Sequence, residues 1–153
     1  MSNMLNFLSK TAGTFFGVGY FPVAPGTAAT AVGIGLAYLL KDNFGFYIGA
    51  TLVLFLVGII AADLIEKKLN TKDPGIIVID EVVGIMISLA ALPFSWPVAI
   101  CGFFLFRAFD MFKIYPINKL EQLPGGFGVM LDDCLAGVYT NIILIIALKW
   151  SGI

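Results

Sequence analysis

Two adjacent carboxylates, Asp80 and Glu81, lie inside IIVIDEVVGIMISLAAL, an otherwise apolar stretch that covers residues 76–92. A charged side chain among apolar neighbours is costly unless an opposite charge or a metal ion compensates it. Helix capping explains this pair poorly, because apolar residues flank it on both sides. The pair therefore indicates a site at which carboxylates do chemistry.

Three more acidic residues stand at the ends of apolar segments: Asp110 follows FRAF, and Asp132 and Asp133 stand side by side before CLAG. The Asp132–Asp133 pair is equally compatible with a helix cap, because acidic side chains favour the start of a helix. Two bases, Arg107 and Lys113, are within reach of these acids. The excess of carboxylates predicts a divalent cation, and all-oxygen ligands favour Mg²⁺, Mn²⁺ or Ca²⁺ over zinc.

Arg107, Asp110 and Lys113 are spaced three residues apart in FRAFDMFK. If one helix contains all three, they spread over about 120° of its surface. A stripe of cation, anion and cation beside a metal ion would bind phosphate, since arginine grips two oxygens and lysine adds a point charge. A simple ion pair between Arg107 and Asp110 is the alternative.

Glycines follow two of the acids by four residues: Gly84 follows Asp80, and Gly137 follows Asp133. Residues four apart share a face of a helix, so each glycine leaves space beside a carboxylate. That space suits an ion, a water molecule or a closely packed helix.

The composition is that of an integral membrane protein. Hydrophobic residues make up 59% of the 153 residues and charged residues only 12%, whereas soluble domains carry about 25% charged residues. The mean hydropathy is +0.98. The length predicts one domain over residues 1–153, and the net charge of −1 argues against nucleic acid as a partner. Histidine is absent, which excludes His-dependent nucleophiles and His-ligated metal sites.

We predict an all-α membrane bundle of about five apolar helices, preceded by a short N-terminal interfacial helix that carries Leu5, Phe7 and Leu8. The five segments cover residues 24–40, 46–65, 76–93, 95–110 and 134–150. If all five cross the membrane, seven of the nine basic residues lie on one side, which should be cytoplasmic. The acids inside the membrane then gather just below that cytoplasmic surface.

Two other patterns carry less weight. Cys101 and Arg107 have the C-x5-R spacing of cysteine phosphatases, but the residues between them are apolar and helix-forming. PGGFG, residues 124–128, lacks the Lys-Ser/Thr of a P-loop. It predicts a flexible loop over the site, with a phosphate-binding nest as the alternative.

Four stretches, GYFPVAPGT, DPGIIVIDEVVG, FRAFDMFKIYPI and GGFGVMLDDCLAG, are spread over residues 17–138. In this order they closely resemble the phosphatidylglycerophosphatase A family. Ile114 stands where the family often has proline. This difference affects the end of a helix and not a charged group. The resemblance implies a Mg²⁺-dependent lipid phosphatase of the bacterial cytoplasmic membrane, with its active site facing the cytoplasm. It would convert phosphatidylglycerophosphate to phosphatidylglycerol and inorganic phosphate.

Together with the resemblance, the charge pattern predicts a role for each residue. Four carboxylates would hold Mg²⁺, which would polarise the phosphoryl group and activate water: Asp80, Glu81, Asp110 and Asp133. Arg107 and Lys113 would bind the phosphate, and Thr27, which ends GYFPVAPGT, would be a further substrate contact. Asp132 would be a further ligand or a base. Transfer of the phosphoryl group to a carboxylate such as Asp80 is the mechanistic alternative.

Two other classes of function stay open. Acids inside the membrane also build cation-coupled transporters, although those normally place them near the middle of the bilayer. A lipid-binding membrane protein without catalytic activity is the other alternative. The sequence also leaves an oligomer open.

Overall fold

Seven α-helices form the part of the chain that the computed structural model describes, residues 2–151. In chain order they are α1 (Ser2–Gly13), α2 (Pro25–Leu40), α3 (Phe44–Leu69), α4 (Ile79–Leu89), α5 (Trp96–Phe112), α6 (Ile117–Leu120) and α7 (Gly126–Ser151), with a 3₁₀ turn at Val18–Tyr20. No strand occurs within residues 2–151. The all-α prediction is therefore confirmed.

Two of these helices, α3 and α7, are long and apolar enough to cross a membrane, and each has 26 residues. Helix α2 is a shorter apolar helix. Helix α4 has 11 residues, which makes it about 16 Å long and too short for a hydrocarbon core of about 30 Å. The structure supports membrane association, whereas five spanning helices are not shown.

Two helix boundaries change the predicted site. Helix α7 begins at Gly126 rather than at residue 134, so PGGFG leads directly into a helix and is not a loop over the site. A Cβ atom on Gly126 would collide with the Ile59 carbonyl oxygen of α3, and glycine therefore permits this close packing. Helix α5 ends at Phe112, and Lys113 has a left-handed φ of 43°. The prediction that one helix contains Arg107, Asp110 and Lys113 is therefore wrong for Lys113.

Helix α4 lies at the centre of the bundle, where it packs against α2, α3, α5 and α7. Its residues Val82, Ile85 and Met86 are fully buried, as expected for a helix that is apolar on nearly every side. On the side of α7, a Cβ atom on Gly137 would collide with the Gly84 carbonyl oxygen. The Phe106 ring of α5 fills the space beside Gly84, and the backbone of α4 fills the space beside Gly137.

Side chains from α3 and α7 hold the C-terminal end of α4. The Tyr47 hydroxyl donates a hydrogen bond to the Met86 carbonyl at 2.6 Å. The Asn141 amide donates to the carbonyls of Ser88, at 3.0 Å, and Ala90, at 2.9 Å. The last carbonyls of a helix have no partner within it, so these three bonds allow α4 to end inside the bundle.

Backbone contacts hold the N-terminal end of α4. The Val78 amide donates to the Gly13 carbonyl at 2.9 Å, and the Ile77 amide donates to the Pro74 carbonyl at 2.9 Å. Gly13 ends α1, so the N-terminal helix is tied to the residue before α4. The first turn of α4, which carries Asp80 and Glu81, is thereby fixed in place.

The close contact between α4 and α7 predicts that Gly137→Ala destabilises the protein. The added Cβ would meet backbone rather than a movable side chain, and such overpacking costs about 1–3 kcal/mol. The measurement is the thermal unfolding midpoint in detergent micelles.

Gly35→Ala is the matched control, because Gly35 is also in a helix but has open space at its Cβ position. That variant should be as stable as the parent, or slightly more so, since alanine favours helix. Equal midpoints for the two variants would contradict the proposed packing.

Candidate active site

Five parts of the chain meet around a cavity of about 230 Å³: the loop before α4, the starts of α2 and α4, the end of α5 and the second turn of α7. Its charged lining consists of Asp73, Asp80, Glu81, Arg107, Asp110, Lys113, Asp132 and Asp133. All the charged residues predicted for the site are in this set. Thr27 does not line the cavity, although its neighbour Gly26 does.

Three carboxylates form the deepest part of the cavity. Asp80, Glu81 and Asp133 can each offer one oxygen, and these three oxygens lie within 4.8 Å of one another. Asp80 and Asp133 are 7% and 3% exposed. One oxygen of each of the three residues is buried and has no hydrogen-bond partner within residues 2–151. A buried carboxylate oxygen needs a cation or a proton, so these three donors fit a hard divalent cation.

Arg107 lies beside this group and contacts two acids. Its Nη1 atom is 2.5 Å from Asp110 Oδ2 and 3.7 Å from Glu81 Oε1. The ion pair between Arg107 and Asp110 is thus present, and it joins residues three apart on α5. Asp110 is outside the group of three metal-compatible carboxylates.

The start of α2 borders the same group. Ala24 has a left-handed φ of 49°, and Pro25 is the first residue of α2. A Cβ atom on Gly26 would collide with the Glu81 carboxylate and would lie 3.3 Å from Arg107 Nη1. Only glycine therefore leaves room for Glu81 and Arg107 at this position. Thr27 is half-buried in the same turn.

Lys113 joins two acids on different segments. Its Nζ atom is 2.8 Å from Glu121 Oε1 and 3.0 Å from Asp132 Oδ2. Burial alone would lower the pKa of the Lys113 ammonium, but the hydrogen bonds to Glu121 and Asp132 raise this pKa above its ordinary value. Lys113 therefore stays charged and ties the end of α5 to α7.

Asp132 and Asp133 lie in the interior of α7, six and seven residues after its start at Gly126. The helix-cap interpretation of this pair is therefore wrong. The two acids face different partners: Asp132 Oδ2 accepts from Lys113, while its Oδ1 accepts from the Asp133 amide at 3.0 Å. Asp133 instead joins Asp80 and Glu81.

Two residues near the site had no assigned role in the sequence. Glu121, the second partner of Lys113, lies in an irregular segment after α6 and carries no motif. Asp73 lines the cavity, and its backbone amide donates to Glu66 Oε1 at 2.7 Å. The signal for Asp73 was its place in DPG, directly before the apolar run. Asp63 forms an ion pair with Lys67 outside the cavity.

The contacts of Lys113 predict that Lys113→Ala destabilises the fold. The substitution would leave the buried Asp132 carboxylate, which is 4% exposed at its side chain, without its cation. Breaking a fully buried pair costs about 3–5 kcal/mol, and we expect about 2–3 kcal/mol here because lysine is partly exposed. Denaturant unfolding in micelles measures the change.

Lys119→Ala is the matched control for that experiment. Lys119 lies outside the cavity lining, with its Nζ atom 5.3 Å from the centre of the Tyr115 ring. Its loss should change stability by no more than about 0.5 kcal/mol. A similar small effect of both substitutions would mean that Lys113 does not tie α5 to α7.

Known proteins with similar sequences share nearly the whole chain. The phosphatidylglycerophosphatase A family model matches residues 11–148, which include every residue that lines the cavity. A Bacteroides thetaiotaomicron protein, provisionally named as a phosphatidylinositol-3-phosphatase, is 41% identical over 95% of this chain and 96% of its own length. Two proteins named phosphatidylglycerophosphatase A are also similar: that of Haemophilus influenzae is 37% identical over 88% of this chain and 85% of its own length.

The second, from Escherichia coli, is 35% identical over 84% of this chain and 77% of its own length. No solved structure matches the chain. The family match over most of the chain and two relatives above 30% identity carry the same family name. The chain therefore belongs to the phosphatidylglycerophosphatase A family and is a phosphatase.

Proposed function

We propose that this phosphatase hydrolyses phosphatidylglycerophosphate to phosphatidylglycerol and inorganic phosphate, with Mg²⁺ as its cofactor. The observation that carries the proposal is the group of three carboxylates, Asp80, Glu81 and Asp133, each with one buried oxygen, in a cavity that also contains Arg107. The family relationship supports the substrate, and the cavity supplies the charged groups that phosphoryl transfer requires.

Asp80, Glu81 and Asp133 are the residues that would hold the cation. When bound, a divalent cation would neutralise charge on the phosphoryl oxygens and would lower the pKa of a water molecule. Asp110 and Asp132 accept hydrogen bonds from Arg107 and Lys113. We therefore assign three protein ligands rather than the four that the sequence suggested.

Arg107 and the first turn of α2 bind the phosphate in this proposal. Arg107 has five N–H donors, and its contacts with Asp110 and Glu81 both use Nη1. The amides of Gly26 and Thr27 precede the first hydrogen bond of α2, which runs from Ala28 to Ala24. Free amides at a helix start bind phosphate oxygens. Gly26 lines the cavity and Thr27 does not, so Gly26 is the residue of this turn that we assign to the phosphate.

Asp110 takes the proton from the attacking water in this proposal. Its Oδ2 atom is held by Arg107, which leaves Oδ1 for the proton. Asp132 is less suited to that role, because both of its oxygens accept hydrogen bonds from Lys113 and the Asp133 amide. Lys113 holds Asp132 in place and adds positive charge to the cavity wall.

The position of the cavity suits a lipid headgroup. Asp133 lies seven residues after the start of α7, or about 10 Å along a helix that is long enough to span. Lys67, Lys68 and Lys72 lie near the same end of the bundle, and basic residues are enriched on cytoplasmic sides. We therefore place the active site at the cytoplasmic face of the bacterial inner membrane. Mid-bilayer acids, which a transporter needs, do not fit this arrangement.

A phosphorylated inositol lipid is a second candidate substrate. The similarity to the Bacteroides thetaiotaomicron protein favours it, and the same carboxylates and Arg107 would act on its phosphomonoester. Phosphate release from the two lipids under identical conditions separates the candidates.

Asp80→Asn should abolish turnover while the protein stays folded. The substitution removes one charge from the group of three and weakens the metal site, so kcat should fall by about a hundredfold or more, or roughly 3 kcal/mol in the barrier. The assay is phosphate release from phosphatidylglycerophosphate by pure protein, with EDTA and then with excess Mg²⁺. EDTA should stop the parent enzyme, and Mg²⁺ should restore it.

Asp42→Asn is the control with the same chemical change. Asp42 pairs with Lys41 between α2 and α3, and its side chain is 85% exposed. It should keep parental activity, since exposed pairs contribute little. Full activity of Asp80→Asn would contradict the proposed metal site. Activity of the parent that is insensitive to EDTA would contradict it as well.

Direct attack by water predicts inversion at phosphorus. A thiophosphate substrate made chiral with oxygen isotopes and hydrolysed in isotopic water should give inverted thiophosphate, because a single in-line displacement inverts the centre. Retention would show two displacements and would support transfer to a carboxylate such as Asp80.

A further inference from the structure

Asp73 occupies the outer part of the active-site cavity. It lines the same cavity as the three deep carboxylates, but Asp73 is exposed whereas Asp80 and Asp133 are buried. Its carboxylate forms no ion pair or hydrogen bond with any side chain within residues 2–151. Asp73 also lies outside the group that could hold a metal ion.

The loop that carries Asp73 is held on both sides. The Asp73 amide donates to Glu66 Oε1 of α3 at 2.7 Å, and the carbonyl of the next residue, Pro74, accepts from Ile77 at 2.9 Å. Asp73 itself has a left-handed φ of 44°. The backbone of Asp73 is therefore held at the cavity mouth, and its carboxylate has no competing partner there within residues 2–151.

A carboxylate at this position restricts what can lie beside it. The substrate phosphate is anionic and lies deep, against Arg107 and the three buried carboxylates. The atoms that join this phosphate to the lipid would leave the cavity beside Asp73, which is the exposed acid of its lining. A second phosphate there would be repelled, and apolar ester groups would desolvate the carboxylate at a cost. A hydroxyl group would instead donate a hydrogen bond to it.

We propose that Asp73 is a specificity residue, which accepts a hydrogen bond from a hydroxyl on the polyol between the scissile phosphate and the lipid. This inference rests on the proposed function of the cavity. Glycerol and inositol headgroups both carry such a hydroxyl. Phosphatidic acid carries none, because its phosphate is attached directly to diacylglycerol. Glu66 is a positioning residue that holds the Asp73 loop.

The test compares kcat/KM for three lipids in the same Mg²⁺-containing micelles: phosphatidylglycerophosphate, phosphatidylinositol 3-phosphate and phosphatidic acid. The parent should prefer at least one polyol lipid over phosphatidic acid. Asp73→Ala should lower kcat/KM for the preferred polyol lipid by about tenfold or more, the value of a hydrogen bond to a charged group. Its activity on phosphatidic acid should stay constant or rise.

Three further variants make the result specific. Glu66→Gln keeps an acceptor for the Asp73 amide and should keep the parental preference, whereas Glu66→Ala should reduce it. Lys72→Ala is the control in the same loop, because Lys72 lies outside the active-site cavity. Loss of Lys72 should affect all three anionic lipids alike and leave their ratio unchanged. If Asp73→Ala does not fold, Glu66→Ala and Asp73→Asn carry the test.

The outcomes are distinct. A lost preference in Asp73→Ala supports the inference, and the lipid that loses activity identifies glycerol or inositol as the source of the hydroxyl. An unchanged ratio, or equal losses on all three lipids, overturns it while the proposed phosphatase function stands. No phosphate release from any of the lipids by the parent protein would instead overturn the proposed function.

Discussion

The mutual repulsion of three clustered carboxylates, Asp80, Glu81 and Asp133, is the constraint on which the rest of this structure depends. At separations of no more than 4.8 Å and an effective dielectric constant of about 20, each pair of ionised carboxylates would repel by roughly 3.5 kcal/mol or more. Three such pairs amount to about 10 kcal/mol, which is comparable to the whole stability of a domain. The folded chain must therefore offset this repulsion with a bound cation, with protons or with Arg107. Because a divalent cation would relieve this repulsion, its binding should stabilise the folded protein.

The bundle fixes the three oxygens by holding one short helix from both ends. Helix α4 does not need to span the bilayer, so its polar start can lie in the cavity while its end is buried. Tyr47 and Asn141 satisfy the carbonyls at that buried end. The contact of Gly84 with Gly137 then sets the distance between α4 and α7, and with it the distance between Asp80 and Asp133. The packing of α4 against α7 inside the bundle therefore determines the geometry of the carboxylates in the cavity.

The sequence predicted that the acids converge, on the assumption that five segments cross the membrane. That topology is not shown, but all the predicted acids line one cavity. The pairing within the cavity could not be predicted in the same way. Whether Asp132 or Asp133 joins Asp80 depends on the rotation of α7, and the helix begins earlier than a hydropathy reading of CLAG and the following residues indicates. Glycines in PGGFG usually favour a loop, but here they permit close packing on α3. Glu121 had no sequence signal at all, since it is recognised only through Lys113.

The balance of charge explains why an anionic substrate could enter so acidic a cavity. Six carboxylates and two bases line it, and each base is already paired with an acid. The carboxylates would repel the substrate phosphate unless a cation were bound or a base exchanged its carboxylate partner for the phosphate. Under the proposed function, Arg107 can exchange Asp110 for the phosphate, because both lie in its reach and arginine binds either group in a fork. That exchange would free Asp110 Oδ2 from its ion pair, so that the carboxylate whose Oδ1 takes the proton becomes more basic when the substrate is bound. Binding of the substrate and preparation of the base would then be the same event.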